Sequence, residues 1–486
     1  MFRLSRTSVI AWTAVVAVIA GLSYALTGVA VPRAAAEDKA KAAPVAPAAA
    51  EPGKYLYIQT NDVREGQNAV LGYHRHDDGA LTPLPGTPFY TAGTGIDNDT
   101  HGKLGPNDND TPLIISPDCK RLFTVNTHSN TIAVFDILSD GSLRHVKGSP
   151  FPSHGIAPNS LSLGGDTLLV SNRNEDYHQL EKLRGKASGS YVSLAIATDG
   201  SLRKASEIKV DGEHKPIQIH VAQTNPSIAF GVDFQVDADF DGGGSRSFLA
   251  GNKASVQGQL HVFQIGDGGQ LTERNRLRLP ETNASYKYLG MDGVPSLPLG
   301  IWTHPLEPIL YVGFVTRNEL GVFRFGNDGG LTFLGSVPNS GQDICWVLPN
   351  KKGTRLYTVN NLPRSDKVDK AATVSTYDIS GDKAEKPVEI ARLHLPLPGQ
   401  WFRNNRNLEQ PGSTAFQCGL DPEDSMLYVI CQRVNQTDEN TSDEGNILHS
   451  LKLDENGVPS VAHSRHLGQD GVYFRSRPQG VVAANR

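Results

Sequence analysis

Residues 116–143 read SPDCKRLFTVNTHSNTIAVFDILSDGSL, and much of the remaining chain repeats this stretch in outline. A tight turn, Ser116-Pro117-Asp118-Cys119, leads into a short apolar strand, Leu122–Asn126. A second strand, Ile132–Ile137, then ends on Ser139-Asp140-Gly141. Asp-Gly and Asn-Gly between alternating apolar runs mark tight hairpins, because Gly and Asn accept the positive φ these turns need. Counterparts of the first turn fall at Gly164–Asp166, Gln223–Pro226, His304–Glu307, Pro349–Gly353 and Asp421–Asp424. Counterparts of the second fall at Asp77–Gly79, Thr198–Gly200, Asp267–Gly269, Asn327–Gly329, Ser380–Asp382 and Glu455–Gly457.

Each unit is therefore four short antiparallel strands, a-b-c-d, and inner strands are expected near Leu113, Ser160, Ile217, Ile301, Ile344, Ala415 and Gly480. The last, Gly480–Ala484, has no b strand after it, whereas Tyr55–Gln59 is a b strand with no a before it. The two ends complete one another. The pattern predicts an all-β, seven-bladed β-propeller of four antiparallel strands per blade, closed by its N- and C-terminal strands. The 49 Gly and 30 Pro among 486 residues suit a chain so rich in turns.

Met1–Arg6 is basic, Val9–Ala30 is uncharged and mostly apolar, and Ala34-Ala35-Ala36 precedes Glu37. These features read as an export signal over residues 1–36. The apolar run is also long enough to span a bilayer, so an uncleaved inner-membrane tether through residues 9–30 is the competing expectation. Residues 37–53, rich in Ala and Pro, read as a flexible linker, and 54–486 as the propeller. A periplasmic or secreted monomer is expected. Net charge is −5 with no basic stripe in the sequence, which argues against a nucleic-acid partner. Four Cys are too few for a disulfide-built scaffold, although Cys418 and Cys431, on neighbouring strands of one blade, are candidates for a cross-strand bridge.

The long, irregular segments (91–111, 173–189, 235–258, 281–298, 361–371, 397–413, 434–445 and 469–478) are all b-c or d-a connections. In an a-b-c-d blade these share one face, and long loops on one side of a rigid scaffold are where sites are usually built. Asp237, Asp239 and Asp241, before Gly242, have D-x-D-x-D-G spacing that can converge on calcium. An EF-hand loop would need Glu where Phe248 stands, so a solvated acidic loop is the alternative. A second acidic group is Asp97/Asp99 with Asp108/Asp110. Trp401, Arg403 and Arg406, together with Arg433 after a b strand, suit an anionic or sugar-like ligand, with a solvated loop as the alternative. No C-x-x-C, H-E-x-x-H, P-loop or G-x-S-x-G motif occurs.

Ile132-Ala-Val-Phe-Asp-Ile, Asp140-Gly-Ser-Leu143 and Gly148-Ser-Pro-Phe151 resemble phrases of the lactonase family of seven-bladed propellers, over roughly residues 54–485. That family includes bacterial 6-phosphogluconolactonases and fungal carboxymuconate cyclases. The resemblance implies hydrolysis or cyclisation of a small organic or sugar lactone at the long-loop face. Pro216-Ile217 stands where the family often has Pro-His, and Asp233-Phe234-Gln235-Val236-Asp237 keeps both acids of Asp-Leu-Gly-x-Asp but loses its Gly. Val315 replaces the Glu of a third motif, with Glu319 four residues on. On this reading Asp233 and Asp237 are the acid/base candidates, and Lys215 or Arg173 would stabilise the oxyanion. The alternative expectation is a non-catalytic cell-envelope propeller that binds a ligand or protein by the same face.

Overall fold

The computed structural model describes residues 53–96, 111–174, 189–210, 214–235, 257–287, 295–361, 372–396, 402–403, 409–410, 412–433 and 445–486. Among them, seven antiparallel sheets follow one another along the chain, each with strands in sequential order. Blade 1 comprises Lys54–Gln59, Ala69–Arg75 and Leu81–Pro83, and blade 2 comprises Leu113–Ile115, Arg121–Asn126, Thr131–Ile137 and Leu143–His145. Blade 3 is Pro158–Gly164, Thr167–Asn172, Ser190–Ile196 and Leu202–Lys209; blade 4 is His214–Val221, Ile228–Gln235, Gln259–Ile265 and Leu271–Arg278. Blade 5 is Pro298–Thr303, Ile309–Phe314, Glu319–Phe325 and Leu331–Pro338; blade 6 is Ile344–Pro349, Arg355–Asn360, Thr373–Asp378 and Val388–His394. Blade 7 is Ser413–Leu420, Met426–Arg433, Ile447–Leu453 and Pro459–His466. The last strand, Gln479–Asn485, pairs antiparallel with Lys54–Gln59, so the C-terminus supplies the inner strand of the first blade. This is the expected seven-bladed ring.

Two details depart from the repeat. The outer strands of blades 1 and 2 are each broken, with a second piece at Phe89–Tyr90 and at Phe151–Pro152. A two-residue hairpin, Phe402–Arg403 with Glu409–Gln410, lies in a segment read only as loop.

Contacts between neighbouring sheets explain why the ring holds. Apolar residues fill each inter-blade layer; Phe230, Val232 and Leu260 of blade 4, for example, meet Leu310, Val312 and Phe323 of blade 5. The hydroxyls of several buried b-strand tyrosines find partners across the same layers. Tyr57 donates to the Gly141 carbonyl (2.7 Å), Tyr311 to Ala384 (2.9 Å) and Tyr357 to Gly457 (2.8 Å), in each case the c-d turn of the next blade. Inner strands have a free edge, and neighbouring side chains cap its N–H groups. Ser162 accepts from Val221 N (2.9 Å), and Gln218 accepts from Ile301 N (2.6 Å). His220 accepts from Thr303 N (3.3 Å), a role open to it because burial pushes its pKa down to about 3.

Inner strands also carry bulges, at Pro158/Ser160, Pro216/Gln218, Pro298/Ile301, Ile344/Trp346 and Ala415/Gln417. The strand register decides the cysteine question. Cys418 lies opposite Val429 and Cys431 opposite Ala415, so the two are not cross-strand partners, and none of the four cysteines is in a disulfide. The expected Cys418–Cys431 bridge is thereby corrected. Burial in the apolar layer of blades 6 and 7 pushes both thiols up.

The face carrying the b-c and d-a connections is fastened to the strand ends. Gly155 and Gly341 press on the terminal b-strand asparagines; an added Cβ would lie 2.3 Å from the Asn172 side chain and 2.1 Å from that of Asn360.

Candidate functional site

Among the described residues, the fully buried Lys and Arg side chains are Arg75, Arg173, Lys215, Arg317, Arg433 and Arg477. All but Arg75 belong to the long-loop face. Arg173 directly follows a b strand, Arg317 stands three residues past one, Arg433 closes one, and Lys215 and Arg477 stand where inner strands begin. Arg173 and Lys215 are each 1% exposed. Five buried cations thus collect on the face of the b-c and d-a connections. The buried acids there are Asp62, Asp233 and Asp343. Asp62 is held by Arg64, whose Nε and Nη2 donate at 3.0 and 2.5 Å.

Each cation is braced by its surroundings. Arg433 N donates to Asn446 Oδ1 (2.8 Å), and its guanidinium lies 5.4 Å from the Phe474 ring centre. Phe474 meets Tyr473 edge-on at 4.7 Å, and Arg64 covers Tyr473 at 4.5 Å. Residues 473–474, on the connection from blade 7 to the closing strand, therefore sit between two guanidiniums. Arg317 pairs with Glu281, which also accepts from Ser296 N (3.0 Å). Burial works against that carboxylate, but the bonds from Ser296 and Arg317 hold its pKa below the usual value.

Asp233 is placed otherwise. It is wholly buried, turned sideways into the layer between blades 3 and 4. Tyr191 OH donates to its Oδ1 (2.5 Å), and His261 Nε2 lies 2.7 Å from Oδ2. His261 Nδ1 in turn meets Glu273 Oε1 at 2.7 Å, and Arg276 grips Glu273 through Nε and Nη2, both at 2.9 Å. Burial alone would lower the His261 pKa, but the carboxylates of Asp233 and Glu273 outweigh it and lift the pKa to about 9. The ring is then an imidazolium donating from both nitrogens. Burial opposes ionisation of Glu273 as well, yet the bonds from His261 and Arg276 bring its pKa to about 2. Burial and the neighbouring Asp233 raise Tyr191 well above its ordinary value.

The register separates Asp233 from Lys215. Pro216 lies opposite Asp233 and Lys215 opposite Phe234, so by strand alternation the two side chains leave opposite faces of the sheet. Their expected convergence is not what the structure has. Glu319 is equally occupied, accepting from Thr282 (2.5 Å) and Ser336 (2.9 Å). Arg403 belongs to the small hairpin. Asp237, Asp239, Asp241, Trp401, Arg406 and the acidic group at 97–110 lie outside the described residues. Among the described residues, no group of three or more His, Cys, Asp or Glu is arranged to hold a metal ion.

Sequence reasoning missed Arg317, Arg477 and the His261 relay. Arg317 carried a weaker signal: Arg317-Asn318, like Arg173-Asn174, lies just past a b strand, although two residues further on. Both asparagines adopt positive φ (58° at Asn174, 56° at Asn318), which turns the chain immediately after the arginine.

No family model and no curated protein matches this chain. Solved structures do. The periplasmic gluconolactonase of Pseudomonas aeruginosa superposes with a TM-score of 0.59 at 13% identity, covering 89% of this chain and 99% of that one. A proposed 6-phosphogluconolactonase from Bacteroides fragilis gives 0.58 at 13%, over 90% and 99% of the respective chains. A hypothetical selenium-binding protein from Sulfolobus tokodaii gives 0.55 at 12%, over 90% and 94%. What is shared is the fold. Proteins described in such different terms have it in common, so function has to be argued from the site.

Proposed function

We propose that this protein is an exported, lactonase-like hydrolase that opens a small organic or sugar lactone at its long-loop mouth. The observation carrying the reading is the collection of buried cations there: Arg173, Lys215, Arg317, Arg433 and Arg477. Attack of water on a lactone carbonyl builds negative charge on that oxygen. Breaking the ring C–O bond then leaves a carboxylate and, after protonation, a hydroxyl. Fixed cations in a low-dielectric mouth favour both the oxyanion and the product carboxylate. Arg173 and Lys215 are the proposed oxyanion partners, with Arg433 and the 401–406 arginines as substrate ligands. Asp237 is the remaining acid/base candidate, while Asp233 braces the strand that leads to it. Asp237, Asp239 and Asp241 are also the proposed calcium ligands. The periplasmic setting of the Pseudomonas relative is in keeping with export.

One observation favours the second reading, a non-catalytic envelope propeller: the acid that the family pattern would employ, Asp233, is enclosed between blades. The test is turnover of a panel of γ- and δ-lactones by the full chain, with and without calcium. Hydrolysis above the uncatalysed rate, lost in Arg173→Gln, Lys215→Met and Asp237→Asn variants that stay folded, supports the enzyme. No turnover by a folded protein supports the binding module.

A further inference from the structure

The outer wall of the ring carries a feature that the mouth does not explain. The outer strand of blade 4, Leu271–Arg278, reads LTERNRLR, and Arg274, Arg276 and Arg278 are all exposed. The adjacent outer strand, Leu202–Lys209 of blade 3, exposes Arg203 and Lys209, while its Lys204 pairs with its single acid, Glu207, at 2.5 Å. By contrast, Leu331–Pro338 of blade 5 carries no charged residue. A chain of net charge −5 thus presents a basic band on one sector of its wall, assembled from strands far apart in sequence.

We infer that this band is a docking surface for a linear polyanion of carboxylate type, such as a uronate-containing glycan chain. One charged residue suffices to protect an edge strand from pairing. Three arginines within five residues exceed that need, and guanidinium forks match carboxylates two bonds at a time. Arg274, the extra residue of a bulge facing Gly329 of blade 5, and Arg278 are separated by at most about 13 Å of strand, the scale of a few sugar units rather than of one small anion. An anionic membrane fits less well, since neither strand is among those bearing exposed large apolar side chains that could insert. Arg276 also grips Glu273 at the outer end of the His261 relay. It is therefore left unaltered in the test.

The full chain is titrated against immobilised polygalacturonate, with uncharged dextran as blank and phosphatidylglycerol vesicles as the competing surface. The expected result is salt-sensitive binding to polygalacturonate that weakens at least about tenfold in the Arg274→Ser/Arg278→Ser variant. A Lys351→Ser/Lys352→Ser variant, which removes two exposed charges on another part of the surface, should bind within twofold of the parent. The inference is overturned by absence of binding at low salt, by equal losses in the two variants, by a double arginine variant within twofold of the parent, or by tighter binding to vesicles. None of these results bears on lactone turnover, so the two readings stand or fall separately.

Discussion

Deprotonating His261 should loosen the layer between blades 3 and 4. In the folded chain its pKa rises from 6.5 to about 9, which corresponds to about 3 kcal/mol of stability. The folded-state pKa is the higher one, so this contribution is complete below pH 6.5 and is lost as the pH climbs through 9. Glu273, held at about 2, gives the opposite limb: its contribution is complete above pH 4.5 and is lost as the pH falls toward 2. The two limbs describe the same contact from its two partners and are not added. Thermal unfolding of the full chain between pH 4 and 10 should therefore show a plateau between about 4.5 and 6.5 and a decline above it, amounting to ~3 °C for a chain of this size. The His261→Gln variant should unfold well below the parent at pH 6, because breaking a buried ion pair costs about 3–5 kcal/mol. That gap should narrow toward pH 10. A gap of constant size across the range would refute the reasoning, as would an NMR titration in which the His261 ring loses its proton near 6.5.

Tyr191→Phe removes one hydrogen bond to the Asp233 carboxylate and should cost about 1.5–3 kcal/mol in urea unfolding, with little change in the pH profile. Gly341→Ala forces a Cβ to within 2.1 Å of the Asn360 side chain and should destabilise by about 1–3 kcal/mol in the same assay. Phe474→Ala should weaken lactone or carboxylate binding more than Phe474→Tyr does, because only the alanine removes the ring against which Arg433 rests. Reductant should leave the melting temperature unchanged, and Cys418 and Cys431 should react with a thiol reagent only as the protein unfolds.

The ring was legible from the turn residues, since Asp-Gly at Asp140, Asp199 and Asp328 and Asn-Gly at Asn456 dictate hairpins wherever the tertiary contacts lead. Closure was legible too, because Tyr55–Gln59 and Gly480–Ala484 each lack a partner of their own. The site was less so, and the reason is parity. A bulge at Pro216/Gln218 shifts which residues share a face with Asp233. Alternation counted along a sequence cannot register an extra residue in a strand. His261 sat unnoticed among fifteen scattered histidines because its partners lie 28 and 12 residues away in sequence, meeting it only across two strand pairings. The arginines past the b strands were legible only in part, because Arg173, Arg433 and Arg317 stand one, two and three residues beyond the equivalent residues Asn172, Cys431 and Phe314, and aligning the blades does not superpose them.

The chain enters and leaves the ring at one spot: Arg486 N donates to the Gly53 carbonyl at 2.5 Å. That spot lies on the side of the a-b turns, opposite the mouth. Anything joined at Gly53 therefore meets the ring on the face away from the b-c and d-a connections. An affinity handle or fusion added after Arg486 would emerge on the same side and leave the mouth clear for capture experiments on oriented surfaces.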